Sequence, residues 1–296
     1  MPGTRPGMTT TGGLHLPHAL DDVRRELARA NRILAHEDVL DAFGHVSVRH
    51  PDDPGRYLLS RSRGPELVEA DDILEFTLDS EPVVAPTRRL YSERVIHGCI
   101  YQMRPDVHAV VHHHAPSIMP FVIAGVDIVP VFHLGATMGA KAPFWDSRDE
   151  FGDTSLLVIK PEEGCSLARA LGQHAMVLMR RHGATVVGAN LHEVIFRSIY
   201  SARNAEHQLR AHALGGVGAL TAGEASLASG HNLQPGPVDR AWEYWAGRLE
   251  KTEALVAAAK AAKRAPHARA TASSKPRKTG GRVVRKAKMP AMKRAR

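Results

Sequence analysis

Hydrophobic residues recur along the chain with two spacings, one typical of helices and one typical of strands. Segment 21–37 opens with two aspartates and carries apolar residues at helical spacing, as in an amphipathic helix. Its apolar stripe consists of Val23, Leu27, Ala30 and Leu34. Short apolar runs at 45–50, 56–60 and 72–79 are separated by Pro, Gly and Asp. These runs predict neighbouring strands of a largely antiparallel sheet.

Beyond residue 90 the two kinds of segment alternate along the chain. Helices are predicted at 92–102, 116–124, 191–213 and 239–258, and strands at 109–114, 156–160 and 176–181. Such an alternation is typical of α/β proteins, in which helices cover the faces of a sheet. The sequence therefore predicts a three-layer α/β/α sandwich around a central, mainly antiparallel sheet.

Charge is distributed unevenly along the chain. The 296 residues carry a formal net charge of +8, but residues 251–296 hold 15 Lys or Arg and one Glu, which leaves −6 on the rest. Residues 257–296 have almost no large apolar side chains to bury, so a disordered basic tail is predicted there. Residues 1–17, rich in Gly, Pro and Thr, are predicted to be a flexible extension. Residues 18–256 are the expected folded domain with a C-terminal helical extension.

The basic tail admits two interpretations. It would attract nucleic acid, an acidic membrane surface or an acidic partner through counterion release. Such binding would be non-specific, because the tail lacks aromatic residues that stack on bases. In the second interpretation, the tail is a solvated extension without function.

The composition and the cysteine count bear on the size of the core and on the predicted cellular location. A hydrophobic content of 43% is sufficient for a sizeable core. No apolar stretch approaches transmembrane length, and the first twenty residues lack the apolar segment of a signal peptide. Cys99 and Cys165 are too few for a disulfide framework. These features predict a cytoplasmic protein.

Two apolar runs end in histidines. In AVVHHH at 109–114, alternation along a strand places His112 and His114 on one face and His113 on the other. A second run ends at His182, and Gly183 then allows close approach of backbone or ligand. Three neutral imidazoles with one open position are typical of a catalytic divalent-metal site. Because the chain has 18 histidines, exposed or hydrogen-bonded imidazoles without a metal are the alternative.

Glu93 follows Ser92 at the start of the helix predicted over 92–102. A carboxylate beside a metal can move a proton while the metal stabilises negative charge on oxygen. The alternative is an acidic residue in the first turn that stabilises the helix dipole. His97, one turn later, would share the face of Glu93 as a supporting or simply buried residue.

Four motifs occur in an order that resembles one known family. They are AFGHVSVR at 42–49, LYSERVIHG at 90–98, AVVHHH at 109–114 and LMRRHGATVVG at 178–188. Through these motifs, residues 20–215 resemble the class II aldolase/adducin family. The resemblance implies that His112, His114 and His182 bind one Zn or Mn ion per subunit and that Glu93 is the acid/base residue. It also implies an α/β/α sandwich and a homotetramer with active sites at subunit interfaces.

Departures from the sugar-phosphate aldolases of this family narrow the resemblance. Those aldolases share a T-x-G-N loop, where this chain has AFGH at 42–45. Their second phosphate loop ends in Thr/Ser-Gly, whereas SRSRG at 60–64 supplies guanidinium groups suited to a carboxylate. Leu134 follows His133 where several of them have a proton-donating tyrosine. The motifs instead resemble the decarboxylases of the family, which act on hydroxylated aromatic or pyridine carboxylates and generally use Mn.

The loops around these motifs supply the candidate substrate-binding residues. A small-molecule carboxylate or carbonyl substrate would be bound by Gly44, His45, Ser62, Arg63, Ser92 and His133. Arg63 would hold a carboxylate, and Glu93 or His45 would return a proton to carbon after CO₂ leaves. The alternatives are a loop histidine bonded to backbone at His45 and exposed charges at Arg61 and Arg63, beside Glu66.

The predicted function is a divalent-metal-dependent carbon–carbon lyase that decarboxylates a hydroxylated aromatic or heteroaromatic carboxylate. An aldolase or epimerase acting on a small hydroxy-carbonyl or sugar substrate is the second prediction within this class. A non-catalytic, adducin-like scaffold is the alternative from another class, and the basic tail favours it. The presence of all three candidate ligands and Glu93 argues against a scaffold.

Overall fold

A seven-stranded sheet forms the centre of the computed structural model, which describes residues 18–272. The strands are β1 (His45–Arg49), β2 (Arg56–Ser60), β3 (Ile73–Thr77), β4 (Ala109–His113), β5 (Phe144–Trp145), β6 (Met176–Met179) and β7 (Gly183–Gly188). They lie in the order β3-β2-β1-β4-β7-β6-β5, and every neighbouring pair except β5 and β6 is antiparallel. The prediction of a mainly antiparallel sheet is confirmed.

Eight α-helices lie within the part of the chain that the structure describes. They are α1 (His18–His36), α2 (Val95–Met103), α3 (Met119–Ala124), α4 (Arg148–Phe151), α5 (Pro161–Leu171), α6 (Leu191–Ala213), α7 (Ala222–Asn232) and α8 (Pro235–Ala272). Asn190 caps α6, because its side chain accepts a hydrogen bond from the Glu193 N–H. Helix α6 has the bounds that the sequence predicted.

Helices cover both faces of the sheet. Leu27 of α1 packs in one core with Val111 of β4, and α6 contributes to the same core. Ile96 of α2 packs in a second core with Val110 of β4, and α5 contributes to that one. Neighbouring strand residues point to opposite faces, so the two cores lie on opposite sides of the sheet. Burial of each leucine or isoleucine side chain stabilises the folded state by about 1.5–3 kcal/mol. Because helices pack on both faces of the sheet, the predicted three-layer sandwich is confirmed.

The same alternation decides where the histidines of β4 point. His112 follows Val110 by two residues and therefore shares its face, on the side of α2. His113 points to the opposite side, where its Nδ1 accepts the Ala115 N–H at 3.2 Å. The prediction that His113 faces away from His112 is confirmed.

Some predicted elements differ from the observed ones. Residues 156–160 form no strand, because the N–H groups of Val158, Ile159 and Lys160 donate to the carboxylates of Glu93 and Glu163 instead of to a neighbouring strand. The strand predicted at 176–181 ends at Met179. Helices α4, α5 and α7 and strands β5 and β7 were not predicted.

The described residues divide into two units between Leu249 and Glu250. Disorder was predicted from residue 257, but α8 continues through Ala272. Alanine, lysine and arginine, which are frequent in this segment, have high helix propensities. The predicted flexible extension at 1–17 and the rest of the basic tail, 273–296, lie outside the described residues. Among the described helices, none combines the length and apolar character needed to span a membrane.

Candidate metal and active site

The candidate metal ligands come from adjacent strands of the sheet. His112 lies in β4 opposite Thr185 of β7, and His114 follows the end of β4. His182 ends the short loop that joins β6 to β7. A Cβ atom at Gly183 would lie 2.3 Å from the carbonyl oxygen of His113, so only glycine lets β7 begin this close to β4.

Four potential ligand atoms converge at this point. One atom from each of Glu93, His112, His114 and His182 lies within 4.8 Å of the others. Nε2 of His112 lies 3.1 Å from Nε2 of His114. The carboxylate oxygens of Glu93 lie 3.8 Å from His112 Nε2 and 3.4 Å from His182 Nε2. Imidazole nitrogens beside a carboxylate are a donor set that suits Zn and other divalent transition metals.

Burial keeps the three imidazoles in their neutral form. It lowers the pKa of His182 to about 4 and lowers the pKa of His114 below its ordinary value. The pKa of His112 is lowered well below its ordinary value, by burial and then by the neighbouring histidines. A neutral imidazole keeps a lone pair on one ring nitrogen, which is the form that binds metals.

Thr185 and Met179 form a small hydrogen-bond network at Nδ1 of His112. The Thr185 hydroxyl donates to Sδ of Met179 at 3.5 Å, and its oxygen lies 3.2 Å from Nδ1 of His112. In the tautomer of His112 with its hydrogen on Nδ1, the Thr185 oxygen accepts that hydrogen while its own hydrogen is donated to the sulfur. Nε2 of His112 faces the other ligands, and in this tautomer it keeps its lone pair, which fits a bound metal ion.

Glu93 lies in the 3₁₀ turn Ser92–Arg94, just before α2 begins at Val95. Its backbone departs from helical values (φ −89°, ψ 16°), so the helix predicted over 92–102 is interrupted here. Oε1 accepts the Val158 N–H at 3.0 Å. Burial raises the pKa of Glu93 to about 7, although the Val158 hydrogen bond lowers it. Such a carboxyl group suits general acid–base catalysis.

His45 lies beside this cluster. It begins β1 opposite His112 of β4, and the two ring centroids are 5.3 Å apart. Nδ1 of His45 lies 2.6 Å from Nε2 of His97, and the Tyr91 ring packs 4.6 Å away. Burial lowers the pKa of His45 well below its ordinary value. His45 is thus a buried strand residue bonded to a side chain, and the alternative of a loop histidine bonded to backbone does not describe it.

Arg61 and Arg63 share one carboxylate. Oδ1 of Asp72 accepts Arg61 Nε at 2.6 Å, and Oδ2 accepts Arg63 Nη1 at 2.5 Å. Both arginines are therefore ion-paired with Asp72, which differs from the alternative of exposed charges beside Glu66. The Tyr91 hydroxyl contacts the backbone of Arg63, so this loop adjoins the ring that packs on His45.

The other candidate substrate-binding residues occupy different surroundings. Gly44 is buried with φ +85°, and a Cβ atom there would lie 2.8 Å from the carbonyl oxygen of His112. Ser62 and Ser92 are exposed at the loops that carry Arg63 and Glu93. His133 is exposed and lines a cavity of about 350 Å³ whose lining residues include no member of the histidine cluster.

Sequence reasoning missed four residues that support the site, namely Thr185, Tyr91, Asp72 and Val158. Strand alternation beyond Gly183 was a usable signal for Thr185, and Tyr91 directly precedes the Ser-Glu motif. Asp72 lies 9 and 11 residues from the two arginines, a spacing that carries no helical or strand pattern. Val158 acts through its backbone N–H, which no side-chain pattern reveals.

Comparisons with known proteins agree with the fold and with the residues of the cluster. The family described as Class II Aldolase and Adducin N-terminal domain matches residues 25–209, which include the four clustered residues. Decarboxylase tropJ of Talaromyces stipitatus is 32% identical over 240 residues, covering 74% of this chain and 90% of that protein. A 3,4-dihydroxyphthalate decarboxylase of Arthrobacter keyseri is 30% identical over 199 residues, covering 62% and 75% respectively.

A solved structure shows the same fold. L-Fuculose 1-phosphate aldolase from Glaciozyma antarctica PI12 has a TM-score of 0.67 at 18% identity and covers 85% of this chain and 96% of that one. Decarboxylases cleave carbon–carbon bonds, so the two sequence relatives confirm the prediction of an enzyme of the lyase class. They also confirm the predicted resemblance to decarboxylases. The chain belongs to the class II aldolase and adducin family.

Proposed function

We propose that this chain is a divalent-metal-dependent lyase that decarboxylates a hydroxylated aromatic or heteroaromatic carboxylate, with one Mn or Zn ion per subunit. The observation that carries the proposal is the convergence of three neutral histidines on the Glu93 carboxylate. The names of the two decarboxylase relatives support the choice of reaction. A homotetramer and non-specific binding of acidic polymers by the tail stay predictions from the sequence.

The histidine cluster would hold the metal through the Nε2 atoms of His112, His114 and His182. A bound divalent ion would polarise a substrate oxygen as a Lewis acid and stabilise the charge that develops as CO₂ leaves. The Thr185 hydroxyl would orient His112 for this task by accepting the Nδ1 hydrogen. His112 would thus be oriented by a hydrogen bond before the metal binds.

Glu93 would supply the proton that replaces the lost carboxyl group. When the bond between the ring carbon and the carboxylate breaks, both electrons stay on the carbon and CO₂ departs. Glu93 then transfers a proton from Oε2 to that carbon and regains one from water. The Val158 N–H binds Oε1 and keeps the carboxyl group oriented, leaving Oε2 for the transfer.

Arg63 would bind a carboxylate that stays on the substrate. Its guanidinium has five N–H donors, and the described hydrogen bond to Asp72 uses Nη1. The substrate named for one relative, 3,4-dihydroxyphthalate, has two carboxylates, so one can leave while the other is held. A dicarboxylate of this kind therefore fits the loop better than a neutral substrate.

Release of CO₂ tests the proposed reaction. We expect the protein supplied with Mn or Zn to convert 3,4-dihydroxyphthalate, or a related hydroxylated aromatic carboxylate, with stoichiometric CO₂. Cleavage of L-fuculose 1-phosphate without CO₂ release from any such carboxylate would replace the decarboxylase by an aldolase. Absence of both activities in metal-loaded protein would favour the scaffold.

Replacement of Arg63 by alanine should raise the KM for a dicarboxylate by about tenfold or more, since a charge-assisted hydrogen bond contributes about 1.5–3 kcal/mol. The KM for an analogue without the second carboxylate should change little. Arg61→Ala is the matched control, because it also removes one partner of Asp72. Equal KM changes for both substrates, or for both variants, would contradict the carboxylate assignment.

A further inference from the structure

A buried chain of side-chain hydrogen bonds runs from His45 into the core between the sheet and α2. Nδ1 of His45 lies 2.6 Å from Nε2 of His97, whose Nδ1 lies 2.6 Å from the Ser47 hydroxyl oxygen. The Ser47 oxygen lies 2.8 Å from the Tyr101 hydroxyl. Ser47, His97 and Tyr101 are at most 1% exposed, so solvent cannot replace a missing partner at any of these three side chains. The direction of each hydrogen bond therefore depends on the donors and acceptors of these four side chains.

Each member of the chain contributes one hydrogen atom. His97 is neutral, because burial lowers its pKa to about 3, and it therefore carries one ring hydrogen. Burial raises the pKa of Tyr101 above its ordinary value and keeps its hydroxyl protonated. Two directions of donation are then possible along the chain, and they place the hydrogen of a neutral His45 on different ring nitrogens.

In the first direction Tyr101 donates to Ser47, Ser47 donates to Nδ1 of His97, and Nε2 of His97 donates to Nδ1 of His45. The hydrogens of Tyr101, Ser47 and His97 then have acceptors. The remaining hydrogen lies on Nε2 of His45, which is not among the fully buried atoms without a partner and is therefore accessible to water or substrate. In the second direction Nδ1 of His45 donates to His97, His97 donates to Ser47, and Ser47 donates to the Tyr101 oxygen. The hydrogen of the Tyr101 hydroxyl then has no acceptor. The described hydrogen bonds join the Tyr101 hydroxyl to Ser47 alone. A buried donor without an acceptor is costly, so the first direction prevails.

We infer that His97, Ser47 and Tyr101 are positioning residues that fix His45 with its hydrogen on Nε2, so that His45 donates a hydrogen bond to a substrate oxygen beside the metal ligands. This inference rests on the proposed function for the identity of the substrate. Within the described residues no hydrogen-bond partner contacts Nε2 of His45, while Nδ1 is occupied by His97. The donor selects substrates that present an acceptor oxygen, such as a carboxylate or a deprotonated hydroxyl group.

The position of the hydrogen is directly measurable without turnover. Solid-state nuclear magnetic resonance of full-length protein containing isotope-labelled histidine, assigned with His45→Ala, should show His45 protonated at Nε2 and bare at Nδ1 at neutral pH. Protonation at Nδ1, or at both nitrogens, would overturn the inference. Because this measurement needs no substrate, it tests the proposed position of the His45 hydrogen even if the decarboxylase proposal fails.

Steady-state kinetics with a substrate that the protein decarboxylates provides a second test of the inference. His97→Leu removes the donor to His45 and should lower kcat/KM about tenfold or more, mainly through KM. In His97→Gln the side-chain amide can still donate, so kcat/KM should stay within about threefold of wild type. Introduced into His45→Ala, His97→Leu should cause no further loss. Equal losses in the Leu and Gln variants, or a further loss in that background, would show a merely structural role.

Discussion

The Glu93→Gln variant is expected to lose about 10²–10⁴-fold of the CO₂-releasing activity, the range that a positioned general acid or base contributes. Glutamine keeps the size of the side chain, and its amide oxygen can still accept the Val158 N–H. The variant cannot transfer a proton to the substrate carbon. The metal content should stay near that of wild type, because the three histidines are unchanged. Single-turnover CO₂ release and metal analysis of the same preparation measure both quantities.

Glu163→Gln is a matched control for this substitution. Glu163 is also a buried carboxylate that accepts backbone N–H groups of the segment next to Val158, at 2.9 Å from Ile159 and 3.0 Å from Lys160. It lies outside the histidine cluster, so its replacement should leave activity within a few-fold of wild type. Loss of the metal in Glu93→Gln would make Glu93 a ligand and contradict its acid/base role. Equal activity in both variants would also contradict it.

The His112→Ala/His114→Ala variant is expected to lose the stabilisation that Mn or Zn gives to the wild-type protein. A ligand at 100 times its Kd stabilises the folded state by about 2.7 kcal/mol. For a chain of this size that corresponds to a rise in Tm of about 5–10 °C. The double variant should show no such rise and no CO₂ release, because two of the three ligands are gone. Thermal unfolding with and without added metal measures the effect.

His108→Ala is the control for the loss of an imidazole near the same strand. His108 immediately precedes β4 and is exposed, whereas His112 is fully buried. The His108→Ala protein should keep the metal-dependent rise in Tm. His114→Ala alone removes a half-buried ligand and leaves a smaller cavity than the double substitution. An undiminished rise in the single and double variants would place the metal elsewhere.

Much of the fold could be predicted because strand and helix periods are local properties of the sequence. The alternation in β4 placed His112 and His113 on opposite faces, and the structure shows the same arrangement. The apolar run at 156–160 has the composition of a strand, but its N–H groups bind two distant carboxylates. Such long-range competition for backbone donors leaves no pattern in the sequence. Strand β7, bounded by glycines, was missed because glycine weakens the strand signal.

The sequence predicted the residues of the candidate site but not the partners that orient them. The histidines and Glu93 lie in motifs, and the fold brings these residues together. The partners that orient them depend on contacts between side chains of different elements. Thr185 orients His112 across two strands, and His97 contacts His45 from α2. Arg63 was expected to be available for a carboxylate, but the sequence did not reveal that Asp72 pairs with it.

Metal content per subunit of the full-length, untagged protein, determined by plasma mass spectrometry, tests the proposed metal site most directly. The wild-type protein should contain about one Mn or Zn ion per subunit, either as purified or after incubation with the metal and removal of excess. The His112→Ala/His114→Ala protein, handled identically, should contain almost none. A folded wild-type protein that binds no metal under these conditions, or a double variant that binds as much as wild type, would contradict the histidine metal site.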